Sequence, residues 1–398
     1  MIPSGRKSSI FFPRAVYIQS ALIPIGNGAI KRASGDLHAS NLVAELKKKD
    51  KRAEFRGCGG DLMKAQGVDL LMHYRTMAYM GFVEVAVNLR KVLGNIAQCK
   101  KDILDYHPDV VILVDYPGFN FRIADFAHKQ GFKVVYYISP QVWAWKRRRV
   151  RKIQKSVDKM VVILPFEEDF YRRYGVDVTY VGNPLLDELA KFGTVNRSIF
   201  LRRNSLGEKR EIIALLPGSR KQEIKRVLPV MLKVVPHFPD YQFVVAGVSS
   251  IDKDLYKGTI GNADVFLVEN QTYELLQNSS AALVTSGTAT LETALFSVPE
   301  VVCYKATNFS YRLAKWMIKV KFISLVNLVM DKEVVKELIQ GDLNEDNVVK
   351  ELDALLHNGK RQRQLLEDYD ELKDRLGNAG ASEKAATVIW EVVARGRK

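Results

Sequence analysis

Two glycine-serine turns, each shortly after an apolar run, carry the residue types of a site for a nucleotide diphosphate. The first turn follows the run that ends at Leu216, and the second follows the run that ends at Val284. Small residues let phosphate oxygens approach backbone N–H groups, and a helix that begins after the turn presents its positive end. The Arg220 guanidinium can bind a diphosphate through two parallel hydrogen bonds, and the Glu292 carboxylate can accept from a ribose diol. The predicted sugar-nucleotide residues are Gly218, Ser219, Arg220, Ser286, Gly287, Thr288 and Glu292.

Asp115 is the strongest candidate for a catalytic group. It follows the apolar run 110–114, which is typical of a strand buried on both faces of a parallel sheet. A carboxylate at the carboxyl end of a central strand faces the crevice where ligands bind in open α/β sheets. Removal of water there raises the pKa of the carboxyl toward the range of a general base. The alternative is that Asp115 only stabilises the Pro-Gly bend that follows it.

A second group of polar residues opens a predicted helix near the start of the chain. Ser34, Gly35 and Asp36 begin this helix, and His38 lies one turn inside it. Ser and Asp are good helix-capping residues, so a purely structural role is one interpretation. The other interpretation is that this loop lines the part of the active site that binds a second substrate, the acceptor.

Neither the histidines nor the Asp-x-Asp strings predict a metal site. The histidines show no i, i+4 pairing of the kind that binds zinc. The strings at 252–254 and 368–370 do not end apolar strands, so we expect both at the surface. We therefore expect no metal or other cofactor, with the sugar nucleotide as a substrate and Arg220 as the main stabiliser of the leaving charge.

Strand-like and helix-like segments alternate along the chain, which predicts βαβ units and parallel sheets. A polar stretch without a strand, 189–209, divides two such series. The predicted class is α/β, with two doubly wound Rossmann-like domains facing a cleft. We place the first domain at 1–190, the nucleotide-binding domain at 205–360, and C-terminal helices at 361–398.

The balance of charge favours anionic partners. The 398 residues carry a formal net charge of +15 and include the run Lys146–Lys152, in which six of seven residues are basic. A solvated surface and a membrane-surface patch are both compatible with this run. No RNA-binding aromatic signature or recognition-helix pattern is present, so we expect no nucleic-acid partner. The odd cysteine count without zinc-like spacing indicates a reduced, cytoplasmic compartment, and no run is apolar enough to span a membrane.

The segment 82–93 is helical in pattern, but its apolar stripe is wider than one face. A buried helix explains this pattern, and so does an exposed surface that contacts acyl chains or a bilayer. On the second interpretation the contact residues are Phe82, Val83, Val87, Arg90 and Lys91.

From about Ala33 onward the chain resembles the lipid-A-disaccharide synthases, bacterial glycosyltransferases with the two-domain GT-B fold. The Ser-Pro-Gln-Val-Trp-Ala-Trp run at 139–145 is the most specific match. The other matching stretches are 33–38, 80–85, 115–120, 181–184, 216–220, 286–292 and 324–328.

This resemblance implies a reaction and places residues in it. UDP-2,3-diacylglucosamine donates its sugar, with inversion, to 2,3-diacylglucosamine 1-phosphate, giving a β-1,6-linked disaccharide and UDP. The resemblance implies that Asp115 is the base, that Asn327 belongs to the nucleotide site, and that Asn120 lies on the acceptor side. The resemblance also implies peripheral binding to the anionic inner face of the cytoplasmic membrane. It further implies a C-terminal helix that packs back on the first domain, and a possible homodimer formed through the C-terminal helices.

The front of the chain departs from this family. Lys31 and Arg32 occupy the places of a Gly-Glu pair, and residues 1–30 do not show the expected first strand, for which Ala15–Ile18 is the nearest match. We therefore expect a damaged first sheet, and a wrong start or a frame error as its cause.

Two other classes of function share some of these features. A UDP-N-acetylglucosamine 2-epimerase would use the same fold and pocket, but it turns over a UDP-sugar without an acceptor. A basic RNA-binding protein without catalysis would show a steep dependence of binding on salt. A glycosyltransferase of peptidoglycan synthesis fits less well because of the run at 139–145.

Overall fold

In the computed structural model of the protein, the described residues are 15–20, 34–74, 89–145, 149–307, 311 and 321–395. They form two compact units. The first contains 15–20, 34–187 and 379–395, and the second contains 188–378. The described residues of the second unit thus all lie between 188 and 378, while those of the first unit lie on both sides of that range.

Each unit has one parallel sheet. The seven strands of the first sheet are β1 (Ala15–Ser20), β2 (Glu54–Gly59), β3 (Asp69–His73), β4 (Val110–Val114), β5 (Lys133–Tyr137), β6 (Lys159–Val162) and β7 (Val178–Tyr180), in the order β3-β2-β1-β4-β5-β6-β7. The six strands of the second are β8 (Glu211–Leu216), β9 (Tyr241–Gly247), β10 (Val265–Glu269), β11 (Ser279–Thr285), β12 (Glu300–Tyr304) and β13 (Lys336–Ile339), in the order β10-β9-β8-β11-β12-β13.

Helices connect these strands. Those of the first unit are α1 (Ser34–Lys49), α2 (Asp61–Ala65), α3 (Leu89–Tyr106), α4 (Pro117–Lys129), α5 (Val142–Trp145), α6 (Val150–Ser156), α7 (Pro165–Arg172) and, in part, α8 (Pro184–Lys191), which crosses into the second unit. The second unit adds α9 (Arg197–Arg203), α10 (Lys221–Lys233), α11 (Lys253–Ile260), α12 (Thr272–Gln277), α13 (Thr288–Leu295), α14 (Leu325–Met330), α15 (Glu345–His357) and α16 (Gly359–Leu376). The last helix, α17 (Ala381–Arg395), returns to the first unit.

The expectation of a missing first strand is wrong. Strand β1 pairs in parallel with both β2 and β4, so it is central in its sheet. Its side chains alternate between two cores, as the two-residue period of a strand requires, with Tyr17 on one face and Val16 and Ile18 on the other. The strand ends in two polar residues, Gln19 and Ser20, and a long segment separates it from Ser34, so the sequence pattern did not match the expected one.

Both sheets reverse their strand order at one point. In the first sheet this point lies between β1 and β4, and in the second it lies between β8 and β11. Ligands of open α/β sheets bind beside such a point, outside the carboxyl ends of the strands. Asp115 directly follows β4, and the two glycine-serine turns follow β8 and β11. The predicted chemical residues therefore lie at the two places that the topology favours.

The last helix completes the core of the first unit, as expected from the family resemblance. Helix α17 packs against α1, and Ala385, Ala386, Ile389 and Val393 are buried in the same core as β1. The division of the chain differs from the expected one in two places. The first segment of the first unit ends at Asp187, and α16, which was grouped with the C-terminal helices, belongs to the second unit.

Asp187 fixes the start of this last helix. Its carboxylate accepts hydrogen bonds from the backbone N–H groups of Gly380 (2.5 Å), Ala381 (3.1 Å) and Ser382 (3.1 Å). The first N–H groups of a helix have no partner within the helix, and a carboxylate there also interacts favourably with the helix dipole.

We expect Asp187→Ala to destabilise the first unit by about 1–2 kcal/mol, because the N-terminal N–H groups of α17 lose their acceptor. The measurement is the midpoint of urea unfolding, followed by circular dichroism. The control is Asp125→Ala, which removes an exposed aspartate that pairs with Lys129. Equal midpoints for the two variants would contradict the capping role.

Candidate functional site

Asp115 lies in a strained turn at the carboxyl end of β4. Its φ is 49° and that of Tyr116 is 45°, so two consecutive residues other than glycine adopt the left-handed conformation. Such residues cost free energy and persist only where the surrounding structure holds them. The turn changes the direction of the chain sharply before α4, which begins at Pro117.

Two side chains hold this turn through the backbone carbonyl of Asp115. Asn120 donates from Nδ2 to the Asp115 oxygen (2.7 Å) and to the Val114 oxygen (3.2 Å). The hydroxyl of Tyr136, on the neighbouring strand β5, donates to the same Asp115 oxygen at 2.5 Å. The backbone of the candidate base is therefore fixed, while its carboxylate is not used by these contacts.

The surroundings of Asp115 favour a general base. Burial raises the pKa of its carboxyl to about 6, partly offset by a hydrogen bond from the backbone of Tyr116. A base with a pKa close to neutrality is ionised at physiological pH and still has appreciable affinity for a proton.

The residues expected on the acceptor side have different surroundings. Asp36 is buried, and its carboxylate accepts from the backbone of Gly60 (2.8 Å), Leu62 (3.0 Å) and Met63 (3.2 Å), so it caps α2. His38 is held neutral, because burial lowers its pKa to about 4 against an opposing effect of Asp187. Ser34 and Gly35 begin α1. Asn120 holds the Asp115 turn, so its amide is a structural contact to the candidate base.

The first glycine-serine turn already contains a bound carboxylate. Glu223 Oε2 accepts from the backbone of Ser219 (3.1 Å) and Arg220 (3.2 Å), and Glu223 Oε1 accepts from the Arg220 guanidinium (3.0 Å). Gly218 has a φ of 101°, and a Cβ there would lie 2.5 Å from Glu223 Oε2. The turn is therefore a cradle for an anionic group, and Glu223 fills it.

The second turn is open. A Cβ added to Gly287 would meet no atom within 4 Å, and Thr288 begins α13 directly after it. Ser286 is held in place because its hydroxyl donates to the Ile323 oxygen (2.9 Å). The turn thus presents backbone and a helix N-terminus to free space, as a phosphate site needs.

Glu292 lies one turn into α13, and one of its two carboxyl oxygens accepts no hydrogen bond from the described residues. It is 6% exposed, and its Oε2 has no hydrogen-bond partner among the described residues. Burial, and to a smaller extent the charge of Glu188, raise its pKa to about 8. A buried carboxyl with a spare oxygen fits a ribose hydroxyl, which can donate to it.

Asn327 does not fit the expected direct contact with a nucleotide. Its Nδ2 donates to the Val335 oxygen (2.8 Å) and to Glu337 Oε1 (2.9 Å), while its Oδ1 accepts from the backbone of Val334 (2.8 Å) and Val335 (2.9 Å). All four of its side-chain hydrogen-bonding positions are occupied. The structure therefore assigns Asn327 to holding the segment that precedes β13.

Sequence reasoning missed three residues that shape these sites. Tyr136 is hidden inside an apolar strand and has no local signal. Glu223 follows Arg220 at the spacing of a capping box, a signal that the sequence did contain. Glu337 accepts from the backbone of Ile323 and Ser324, and so supports the loop to which Ser286 is bonded.

Three of the expected membrane contacts, Phe82, Val83 and Val87, lie outside the described residues. Part of the basic run, Lys146–Arg148, also lies outside them. Arg90 and Lys91 are exposed on α3, and Leu93 beside them is 47% exposed. Within the described ranges, the helices include none with the length and apolar character to cross a bilayer. The same ranges contain no cluster of three or more His, Cys, Asp or Glu side chains arranged to hold a metal ion.

Comparison with known proteins identifies the family. The sequence model of the lipid-A-disaccharide synthetase family matches residues 29–392. The chain belongs to this family. It is therefore a glycosyltransferase of lipid A disaccharide formation, and the resemblance seen in the sequence motifs is confirmed.

A named relative agrees with this assignment, and solved structures share the fold. The lipid-A-disaccharide synthase of Syntrophus aciditrophicus is 44% identical over 368 residues, which covers 91% of this chain and 96% of that protein. The UDP-GlcNAc 2-epimerase of Neisseria meningitidis, solved with UDP-GlcNAc bound, superposes with a TM-score of 0.66 at 13% identity, covering 95% of this chain and 99% of that one. The glycotransferase of kitacinnamycin gives a TM-score of 0.65 at 13% identity, covering 96% and 99%. These structures show the GT-B fold of two Rossmann-like domains.

We expect Asn120→Ala to lower kcat while leaving KM for the donor nearly unchanged, because the strained turn relaxes and moves the candidate base. The measurement is the steady-state rate together with its pH profile, whose acidic limb should shift when Asp115 becomes more hydrated. The control is Asn204→Ala, whose amide lies in the second unit and bonds Phe200 and Gln271. A change in KM alone, with kcat and the acidic limb intact, would contradict the positioning role.

Proposed function

We propose that this chain transfers 2,3-diacylglucosamine from its UDP derivative to 2,3-diacylglucosamine 1-phosphate, forming the β-1,6-linked disaccharide 1-phosphate and UDP. The observation that carries the proposal is Asp115, a carboxylate with a raised pKa on a strained turn at the switch point of the first sheet. Family membership supplies the class of reaction, and the two glycine-serine turns supply the nucleotide chemistry.

The proposed chemistry is a single in-line displacement. The 6-hydroxyl oxygen of the acceptor attacks the anomeric carbon of the donor, and the bond from that carbon to the diphosphate oxygen breaks. The hydroxyl proton passes to the Asp115 carboxylate, and the electron pair of the broken bond leaves with UDP. One displacement inverts the anomeric centre, so one base suffices and no covalent sugar intermediate forms.

The leaving diphosphate is proposed to bind at the first turn, where Glu223 now lies. Its oxygens would accept from the same backbone N–H groups and from the Arg220 guanidinium, while Glu223 rotates away. Charge-assisted hydrogen bonds of this kind contribute about 1.5–3 kcal/mol each, more than a helix terminus does. In this proposal Arg220, the second turn and Glu292 hold the donor without a metal ion.

Both substrates carry acyl chains, which supports binding to a membrane surface. The exposed Leu93 lies on α3 beside the exposed Arg90 and Lys91, an arrangement of apolar and basic side chains suited to an anionic lipid surface. We propose that the chain acts as a peripheral protein on the inner face of the cytoplasmic membrane.

The experiment that tests the reaction is incubation with both acylated sugars, followed by mass analysis of the lipid product. The expected products are the disaccharide 1-phosphate and UDP, formed only when both sugars are present. Turnover of the UDP-sugar alone to an epimer would contradict the proposal and favour an isomerase.

We expect Asp115→Asn to lower kcat by about 10²–10⁴-fold, the range of general-base catalysis, because the amide cannot take the hydroxyl proton. Binding of UDP, measured by calorimetry, should be unchanged because Asp115 belongs to the other unit. Wild-type turnover in this variant would exclude Asp115 as the base.

The rate should also depend on pH with a defined sign. Since the pKa of Asp115 is about 6, kcat/KM should fall about tenfold per pH unit below pH 6, as the carboxylate takes up a proton, and stay level just above it. A pH series of initial rates checks this. A level profile down to pH 5 would mean that a group with a much lower pKa acts as the base.

Arg220→Ala should weaken UDP binding by about 10–100-fold, because a charge-assisted hydrogen bond to the diphosphate is lost. The matched control is Arg226→Ala, an arginine two turns further along α10 that contacts Gln222. Equal UDP affinity in the Arg220 variant and the control would place the diphosphate elsewhere.

A further inference from the structure

Arg149 is a cationic side chain that the proposed reaction does not use. It belongs to the basic run Lys146–Lys152 and directly precedes α6. Arg151 and Lys152 in the same run are exposed, whereas Arg149 is half-buried. No acidic group among the described residues forms an ion pair with its guanidinium. A cation that loses water without gaining an anionic partner costs free energy, so its position needs an explanation.

An aromatic pair holds this guanidinium against the first unit. The Arg149 Cζ atom lies 5.6 Å from the centre of the Phe121 ring, which is a cation–π contact. The Phe121 ring lies 5.9 Å from the ring of Tyr136. These contacts position the guanidinium but supply no oxygen that could accept from its N–H groups. Arg149 is therefore placed and oriented, with its hydrogen-bonding capacity available to a ligand.

Tyr136 connects Arg149 with the candidate base. The Tyr136 hydroxyl donates to the backbone oxygen of Asp115 at 2.5 Å. Burial is the main cause that raises the pKa of this hydroxyl, the Asp115 carboxylate raises it further, and the Arg149 guanidinium lowers it. Charged groups shift the pKa of a neighbour at close range. The carboxylate of the base and the guanidinium therefore both lie near the same hydroxyl group.

Both charged groups lie where a ligand can reach them. Asp115 and Arg149 are each half-buried, so part of each residue is open to solvent. Asp115 follows β4, and Tyr136 lies near the end of the neighbouring strand β5. This carboxyl edge is where ligands of open α/β sheets bind. Arg220, proposed above for the diphosphate of the donor, belongs to the second unit, so Arg149 is a separate cation on the unit of the base.

We propose that Arg149 binds the phosphate of the acceptor, 2,3-diacylglucosamine 1-phosphate, while Asp115 takes the proton of its 6-hydroxyl. This inference rests on the function proposed above. In glucosamine the phosphate and the 6-hydroxyl lie a few bonds apart, on the two sides of the ring oxygen. One sugar can therefore contact two protein groups that lie close together. A phosphate monoester carries a charge of about −1.5 to −2 at neutral pH and matches the planar guanidinium through paired hydrogen bonds.

An anionic lipid headgroup presents the same phosphate chemistry from a second source. A membrane surface is contacted by exposed basic side chains, such as those of Arg151 and Lys152. Arg149 instead is half-buried against Phe121 and lies beside the turn of the base. Its position favours one bound phosphate at the active site over a lipid surface.

The test compares two acceptors, 2,3-diacylglucosamine 1-phosphate and 2,3-diacylglucosamine without the phosphate. The full chain is assayed in micelles of a neutral detergent without anionic phospholipid, and the disaccharide is measured by mass analysis. We expect the wild type to prefer the phosphorylated acceptor by about 10–100-fold in kcat/KM, because charge-assisted hydrogen bonds form only with the phosphate.

Variants assign this preference to Arg149. Arg149→Met removes the guanidinium and keeps an unbranched chain against Phe121, so the preference should fall at least about tenfold. Arg149→Lys should keep part of the preference, because the ammonium retains the charge but not the planar fork. The matched control is Arg151→Met, which removes an exposed arginine of the same run and should keep the wild-type preference.

The outcomes separate this inference from the proposed function. If the wild type forms the disaccharide but uses both acceptors equally well, the inference fails and the function stands. The same holds if Arg149→Met prefers the phosphate as strongly as the wild type. If the wild type forms no disaccharide from either acceptor, the proposed function fails and the inference fails with it. Should Arg149→Met not fold, as judged by circular dichroism, Arg149→Gln takes its place.

Two further measurements exclude the other phosphates that Arg149 could contact. Sedimentation with phosphatidylglycerol vesicles reports on a lipid headgroup, and calorimetric titration with UDP reports on the donor diphosphate. We expect Arg149→Met and Arg151→Met to behave alike in both. A loss of vesicle binding or of UDP binding that is confined to Arg149→Met, with the acceptor preference intact, would overturn the proposal.

Discussion

The fold depends on the hydrogen bonds that are donated to its buried carboxyl groups. Removing a carboxylate from water is expensive unless donors replace the lost hydration. Asp36 and Asp187 meet this requirement with backbone N–H groups at the starts of α2 and α17. Glu167, in the first turn of α7, bonds the Trp143 indole (3.0 Å) and the Leu164 backbone (3.1 Å). These residues build the fold, because each ties a helix to a distant or neighbouring segment.

Other carboxyl groups lack donors: Oε2 of Glu292 and both carboxyl oxygens of Glu300 are buried without a hydrogen-bond partner among the described residues. Asp115, Glu292 and Glu300 each have a pKa raised mainly by burial. Asp115 lies at the proposed acceptor hydroxyl and Glu292 at the proposed ribose, whereas Glu300 is the first residue of β12.

Much of this organisation could be predicted from the sequence. Long apolar runs such as 110–114 and 281–284 identified the central strands, and the residues after them identified both switch points. Strand β1 was missed because a long segment separates it from the helix that begins at Ser34, whereas the first strand of the family runs directly into that helix. The role of Asn327 was missed because its four hydrogen bonds connect segments that periodicity cannot bring together. Glu223 was overlooked although its spacing from Arg220 is that of a capping box.

The order in which the two units occur along the chain has a consequence for folding during synthesis. Helix α17 supplies part of the core that covers β1, yet it is translated after the whole of 188–378. One part of the core on this face of the amino-terminal sheet is therefore completed only after the inserted unit has been synthesised. Until α17 emerges, the apolar side chains of α1 that pack against it stay exposed, and such surface favours aggregation.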